Sequence, residues 1–242
     1  MRAILLTLIL VQSLCAPLRA GSFDDANRAY AENRFTASIE GYQDILKREG
    51  WSASVLFNLA NAQLHDGKTA PAILNYERAQ WLAPGDPDVA ANLNLALKQA
   101  GLPPAVNSWL DVFTHTFSAN AWSWLASGSF LILCLSILLH RARPAHRPLA
   151  WALIGAGTLG LLSSAIALWG DTGQLHRAVI VKPESAALIS PFANSKSAFP
   201  LTTGEIVHVE KTYGDFFFIK GHDGRTGWVE KSSLEHVIPP SS

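Results

Sequence analysis

From Trp122 to Leu139 no side chain is charged, and from Leu149 to Trp169 none is charged either. About 20 apolar residues cross the hydrocarbon core as a helix, so the pattern predicts two spans, 122–139 and 149–169, arranged as a hairpin. The connecting residues 140–148 hold Arg141, Arg143 and Arg147, whereas no Lys or Arg lies between Lys98 and Trp122. Cations gather on the cytoplasmic side of spans, so the turn is expected in the cytoplasm and both long arms on the far side. Ala152, Ala156, Gly160 and Ser164 recur at every fourth position along the second span, a spacing that permits close helix contact in lipid.

The segment 21–100 carries a different pattern, a repeat: Asn33 matches Gly67, Ser38 matches Ala72, Ile39 matches Ile73, Tyr42 matches Tyr76 and Ile45 matches Ala79. Asn58-Leu59 returns as Asn92-Leu93 in a third, truncated copy. A helix–turn–helix unit with a period of about 34 residues is the tetratricopeptide signature and predicts stacked helix pairs. The single helix expected from about Asp88 to Ala100 would cap the stack. Such arrays bind peptide segments along the first helix of each pair. Asn27 and Asn61 occupy equivalent positions there, and so do Asn58 and Asn92. An amide offers donors and an acceptor, which suits an extended peptide backbone. The same amides can instead tie neighbouring helices together. Phe23, Phe57 and Ala91 stand where a clamp for a terminal carboxylate would need a cation, which argues against that mode.

After Gly101-Leu102-Pro103-Pro104 stops the last helix, Trp109, Phe113 and Phe117 recur at every fourth position beside Leu110. This predicts a short amphipathic linker, 101–121, lying at the membrane surface. Beyond the hairpin, the segment 176–238 switches to short β-rich runs divided by Thr203-Gly204, Tyr213-Gly214-Asp215 and His222-Asp223-Gly224. Asp-Gly between apolar runs marks a hairpin, and five such runs in so short a segment predict a small barrel. Trp228 and Tyr213 are candidates for an aromatic peptide groove, although a tryptophan in a Gly-Trp-Val setting is more often half core and half surface.

Composition alters this picture in two places. Acidic and basic residues balance at 19 each, so no basic patch points to nucleic acid. The two cysteines fall at Cys15 and Cys134, one in the leader and one in a predicted span, so the outer domains must be stable without disulfides. Met1–Ala20 has the order of a signal peptide: Arg2, an apolar run, then small residues ending at Ala20. Export of the segment 21–121 agrees with the arginine-rich turn. The eight histidines have no metal-ligand spacing, and neither a phosphate loop nor a serine elbow is present. The expectation is therefore a non-catalytic protein without metal or cofactor.

The predicted architecture is multidomain: all-α tetratricopeptide repeats, a two-helix membrane hairpin and an all-β barrel. The string Leu201-Thr202-Thr203-Gly204-Glu205-Ile206-Val207-His208-Val209, then Phe216-Phe217-Phe218-Ile219, then Asp223-Gly224-Arg225-Thr226-Gly227-Trp228-Val229 resembles bacterial SH3 domains, which usually carry Trp where Phe216 stands. The order of parts over 21–238 resembles the BatE-like proteins of the bacterial Bat aerotolerance operon. That resemblance implies an inner-membrane adaptor with both terminal domains in the periplasm, acting in an envelope complex with von Willebrand A-domain proteins and a MoxR ATPase. It implies protein partners and no reaction. Peptidoglycan bound through the SH3-like domain is the alternative ligand.

Overall fold

The structure, a computed structural model, describes residues 20–105, 119–142, 147–170 and 176–239, together with Phe113 and Phe117. The expected signal peptide up to position 19, Trp109 and Leu110 of the linker, and Arg143 of the basic turn lie outside the described residues. Among those described are seven helices and one seven-stranded antiparallel sheet. They fall into two compact units, one formed by the chain up to Ala105 together with the chain from Arg177 onward, the other by Val106–His176.

The first unit opens with five helices: α1 (Ala20–Ala31), α2 (Phe35–Glu49), α3 (Ala53–His65), α4 (Thr69–Leu82) and α5 (Pro87–Gln99). The period seen in the sequence is a period in backbone geometry. Asn33, Gly67 and Gly101, each one period from the next, have positive φ of 57°, 78° and 71°. After each, the next N–H reaches back over the helix end: Arg34 donates to the Ala29 carbonyl at 2.8 Å, Lys68 to Gln63 at 2.8 Å and Leu102 to Leu97 at 2.9 Å. This closes the ends of α1, α3 and α5 in the way that suits Gly, and less often Asn, in the left-handed region. Helix α5 starts on Asp86, whose carboxylate accepts from the N–H groups of Asp88 and Val89, with Pro87 in the first turn. The buried positions also repeat: Ser38, Ile39, Tyr42 and Ile45 on α2 become Ala72, Ile73, Tyr76 and Ala79 on α4.

One face of the two copies differs. Thr36, Glu40, Gln43 and Asp44 of α2 are exposed, whereas Ala70, Leu74 and Glu77, one period later on α4, are buried and Arg78 is largely covered. The cover is the sheet. Its strands are β1 (Arg177–Ile180), β2 (Ala186–Leu188), β3 (Ser197–Pro200), β4 (Ile206–Tyr213), β5 (Phe216–Gly221), β6 (Thr226–Glu230) and β7 (Leu234–His236), in the order β3-β2-β6-β5-β4-β1-β7. Strand β1 is buried on both faces, which explains its unbroken apolar run. Ala178 and Ile180 join the sheet's own core with Val207, Ile219 and Val229. Val179 joins a second cluster with Ile73, Leu74, Tyr76 and Leu97 of the helices, and Val237 lies there too. The expected separate helical and β domains therefore share a core.

Charged groups sit beside that shared core. Arg177 Nη2 lies 2.8 Å from both carboxylate oxygens of Glu77, whose side chain is 1% exposed. Burial pushes the Glu77 pKa up, and the Arg177 guanidinium draws it back down. Arg78 donates to the carbonyls of Val237 (3.1 Å) and His236 (3.0 Å), pairs with Glu235 at 2.7 Å and stacks over Trp51 at 4.8 Å. It thereby occupies the last backbone acceptor of edge strand β7, at His236, and the one just beyond it.

The second unit holds α6 (Ala119–Ala142) and α7 (Arg147–Gly170), both long and apolar enough to cross a membrane. They exceed the predicted spans at each end because small and polar residues continue the helices. The seam between them is not the regular row of the sequence pattern. Gly160 and Ser164 lie in it, but Ala152 and Ala156 are exposed, and Ala150, Gly157 and Ala167 take their place. A step of four positions advances about 400° around a helix and drifts off any one face, whereas steps alternating three and four stay on it. A Cβ on Gly157 would lie 3.0 Å from the Ser129 carbonyl oxygen, so glycine permits the close approach. Phe113 and Phe117 each place their rings 5.3 Å from that of Trp122, which is buried.

Gly204 tests the contact between helices and sheet. Its φ is +92° and a Cβ there would lie 2.8 Å from Cδ1 of Ile73, whereas Gly224 (φ +82°) faces open space. Alanine at either position carries backbone strain of about 1–3 kcal/mol. At Gly204 overpacking adds roughly another 1–3 kcal/mol. Gly204→Ala is expected to lower the melting temperature of the purified chain clearly more than Gly224→Ala does. Equal melting would mean that the contact contributes nothing.

Candidate functional site

The four asparagines of the sequence pattern do lie on the first helices of successive pairs: Asn27 on α1, Asn58 and Asn61 on α3, and Asn92 on α5. All four are partly exposed. Their amides are joined to the fold. Asn27 Oδ1 accepts from the Tyr42 hydroxyl at 2.5 Å and from Asn58 Nδ2 at 3.3 Å. Asn61 Oδ1 accepts from the Tyr76 hydroxyl at 2.6 Å. Asn92 Nδ2 donates back to the Asp88 carbonyl of its own helix at 2.8 Å.

The tyrosines involved are the two that match one period apart, so the asparagine–tyrosine tie is itself a repeated element with the same sequence separation in both copies. Burial pushes the phenol pKa of Tyr42 and of Tyr76 up, which keeps both hydroxyls protonated as donors. With its oxygen held by tyrosine, each of Asn27 and Asn61 is fixed in rotation, and its NH2 group points away from that bond. In the third copy the equivalent position is Leu95, 47% exposed, so the row ends on an apolar side chain. The repeat points to the asparagines directly; their tyrosine partners are legible only in the one Asn-to-Tyr separation that recurs in both copies.

The second candidate surface lies on the sheet, and the strand register sets it. Lys211 pairs with Phe218, Phe218 with Trp228, and Trp228 with Leu188, so the four share one face across adjacent strands. On either side of Trp228 in its strand, Val229 points into the core and Gly227 is buried against Ala187. Trp228 itself is half-buried, its ring 5.1 Å from Phe218 and 6.3 Å from Tyr213. Tyr213 is 57% exposed. Trp228 and Tyr213 thus stand together, with Phe218 and Lys211 beside them; only strand register brings these two into the row.

Among the described residues no three of His, Cys, Asp and Glu come together as a metal-holding group. A cavity of about 280 Å³ opens between α1, α2 and the start of α3, lined by Phe23, Ile45, Trp51 and Val55 with Glu49 and Ser52 at its polar side. No protein-family model matches the chain, and no curated protein does.

The two surfaces make separable predictions. Tyr76→Phe removes a buried donor and strands the Asn61 oxygen, which costs about 1–2 kcal/mol. Tyr213→Phe, on an exposed ring whose pair with Trp228 needs no hydroxyl, is expected to leave the melting temperature unchanged. Trp228→Ala is expected to cost roughly 2 kcal/mol, less than the loss of a fully buried aromatic, because half of the ring already faces solvent.

Proposed function

We propose that the chain is a non-catalytic adaptor of a bacterial inner membrane that holds protein partners outside the cytoplasm. In this reading the five helices are a tetratricopeptide array with a truncated third repeat, the sheet is an SH3-like barrel, and α6 and α7 are the membrane anchor. One observation carries it: three left-handed helix stops and two asparagine–tyrosine ties all recur at the same period, the asparagines on the first helices of the pairs. Amides at repeat spacing suit an extended peptide, whose carbonyls also recur regularly. The likeness in order of parts to BatE-like proteins extends the reading to a Bat-type envelope complex containing von Willebrand A-domain proteins and a MoxR ATPase.

The orientation follows from the same reading. The arginine-rich turn lies in the cytoplasm, and the helices before the hairpin and the sheet after it lie in the periplasm. Their membership of one compact unit supports this, since a shared core requires both on one side. The partly exposed row of Tyr213, Trp228 and Phe218 favours a second reading in which the sheet contacts peptidoglycan, because aromatic faces stack on sugar rings.

Asn58→Ala with Asn92→Ala is the informative pair, since it leaves the bonds from Tyr42 to Asn27 and from Tyr76 to Asn61 in place. Each lost amide bond to a partner is worth about 0.5–1.5 kcal/mol, so the pair is expected to weaken binding roughly 10- to 100-fold. Crosslinking in cells from this face, followed by mass spectrometry, measures the loss, and circular dichroism is expected to hardly change. Unaltered crosslinking removes the face as the binding surface. Pelleting with purified cell wall that depends on Trp228 would transfer the role to the sheet. A fusion after Arg143 that is active only as an exported reporter would sink the orientation.

A further inference from the structure

We infer that the sheet is the obligatory last layer of the helical array, docked in one register by the buried Glu77–Arg177 pair, so that the membrane hairpin is an insertion within a single folded body. Three observations carry this. First, the face that α2 leaves to solvent is remade on α4 to receive the sheet: Glu40 becomes Leu74, Gln43 becomes Glu77 and Asp44 becomes Arg78. An array with independent ends would keep this face polar on both copies, because terminal repeats need a soluble outer surface.

Second, the two sides fit as a core does. Val179 and Val237 share a buried cluster with Ile73, Leu74 and Leu97, with Val181, Ile206 and Leu102 packed against it. Gly204 leaves no room for a Cβ beside Ile73.

Third, a carboxylate that is 1% exposed finds its cation on the opposite side of the junction. Hydrophobic contact alone does not choose a register, whereas a buried charge is strongly penalised in every arrangement that leaves it unpaired. Arg78 adds direction, since its guanidinium reaches the carbonyls of both His236 and Val237. The docking rests on these contacts and not on the partner-binding reading, so failure of the crosslinking experiment above leaves it standing.

The test uses the full chain in detergent, with cleavage sites for a specific protease inserted between positions 106 and 112 and between 171 and 175. After both cuts, the helical piece and the sheet piece are expected to elute together in a 1:1 ratio, without the hairpin. Arg177→Met, which strands the Glu77 carboxylate, is expected to abolish co-elution. Adding Glu77→Gln to Arg177→Met, which removes the stranded charge while keeping size, is expected to restore it; this separates a docking lock from a general folding defect. Separate elution of the wild-type pieces overturns the inference. So does undiminished co-elution of Arg177→Met, or failure of the double variant to recover.

Discussion

A carboxylate that water cannot reach must be answered by the protein, and here the answer to Glu77 comes from a residue one hundred positions away. This demand organises the first unit. Arg177 opens strand β1, so satisfying Glu77 sets that strand along α4. The alternation of β1 then turns Val179 toward the helices and Ala178 and Ile180 toward the sheet's own core. Arg78, on the next residue of the helix, holds the far edge of the sheet through backbone carbonyls. The ion pair is weak as a source of stability, because desolvation offsets most of its attraction. Its effect is selective: it disfavours arrangements that packing alone would tolerate.

Both candidate surfaces lie clear of this junction. The asparagine face belongs to the first helices of the pairs, whereas the sheet covers α4, a second helix, and the C-terminal end of α5. The aromatic row of Tyr213, Phe218 and Trp228 crosses β4, β5 and β6, whereas β1, β7, the chain just after it and the start of β4 meet the helices. The tyrosine ties fix the amide orientation of Asn27 and Asn61 on that face.

Local periodicity made much of this legible. The charge-free runs announced α6 and α7, the repeat announced the helix pairs, and the Gly-rich turns announced a β-rich segment. What escaped depends on contacts distant in sequence. The seam of the hairpin was misjudged because small side chains at every fourth position suggest one face and do not keep to it. The docking of sheet on helices was visible only as a mismatch between the two copies, Gln43 against Glu77 and Glu40 against Leu74, and mismatches between repeats read as noise until the covering element is known. Phe218 and Lys211 joined Trp228 through strand register, which no single-strand pattern encodes.

The split of one body by the hairpin also has a consequence in time. The helical half is complete at Ala105, but the strands that cover α4 begin at Arg177. Synthesis proceeds at about 5–20 residues per second, so the roughly 70 intervening residues take roughly 4–14 seconds. During that interval Ile73 and Leu74 stand uncovered beside an unpaired Glu77. A solvated carboxylate in the middle of an apolar face discourages that face from joining other chains. The charge that is penalised once the body has closed is therefore protective while it is still open.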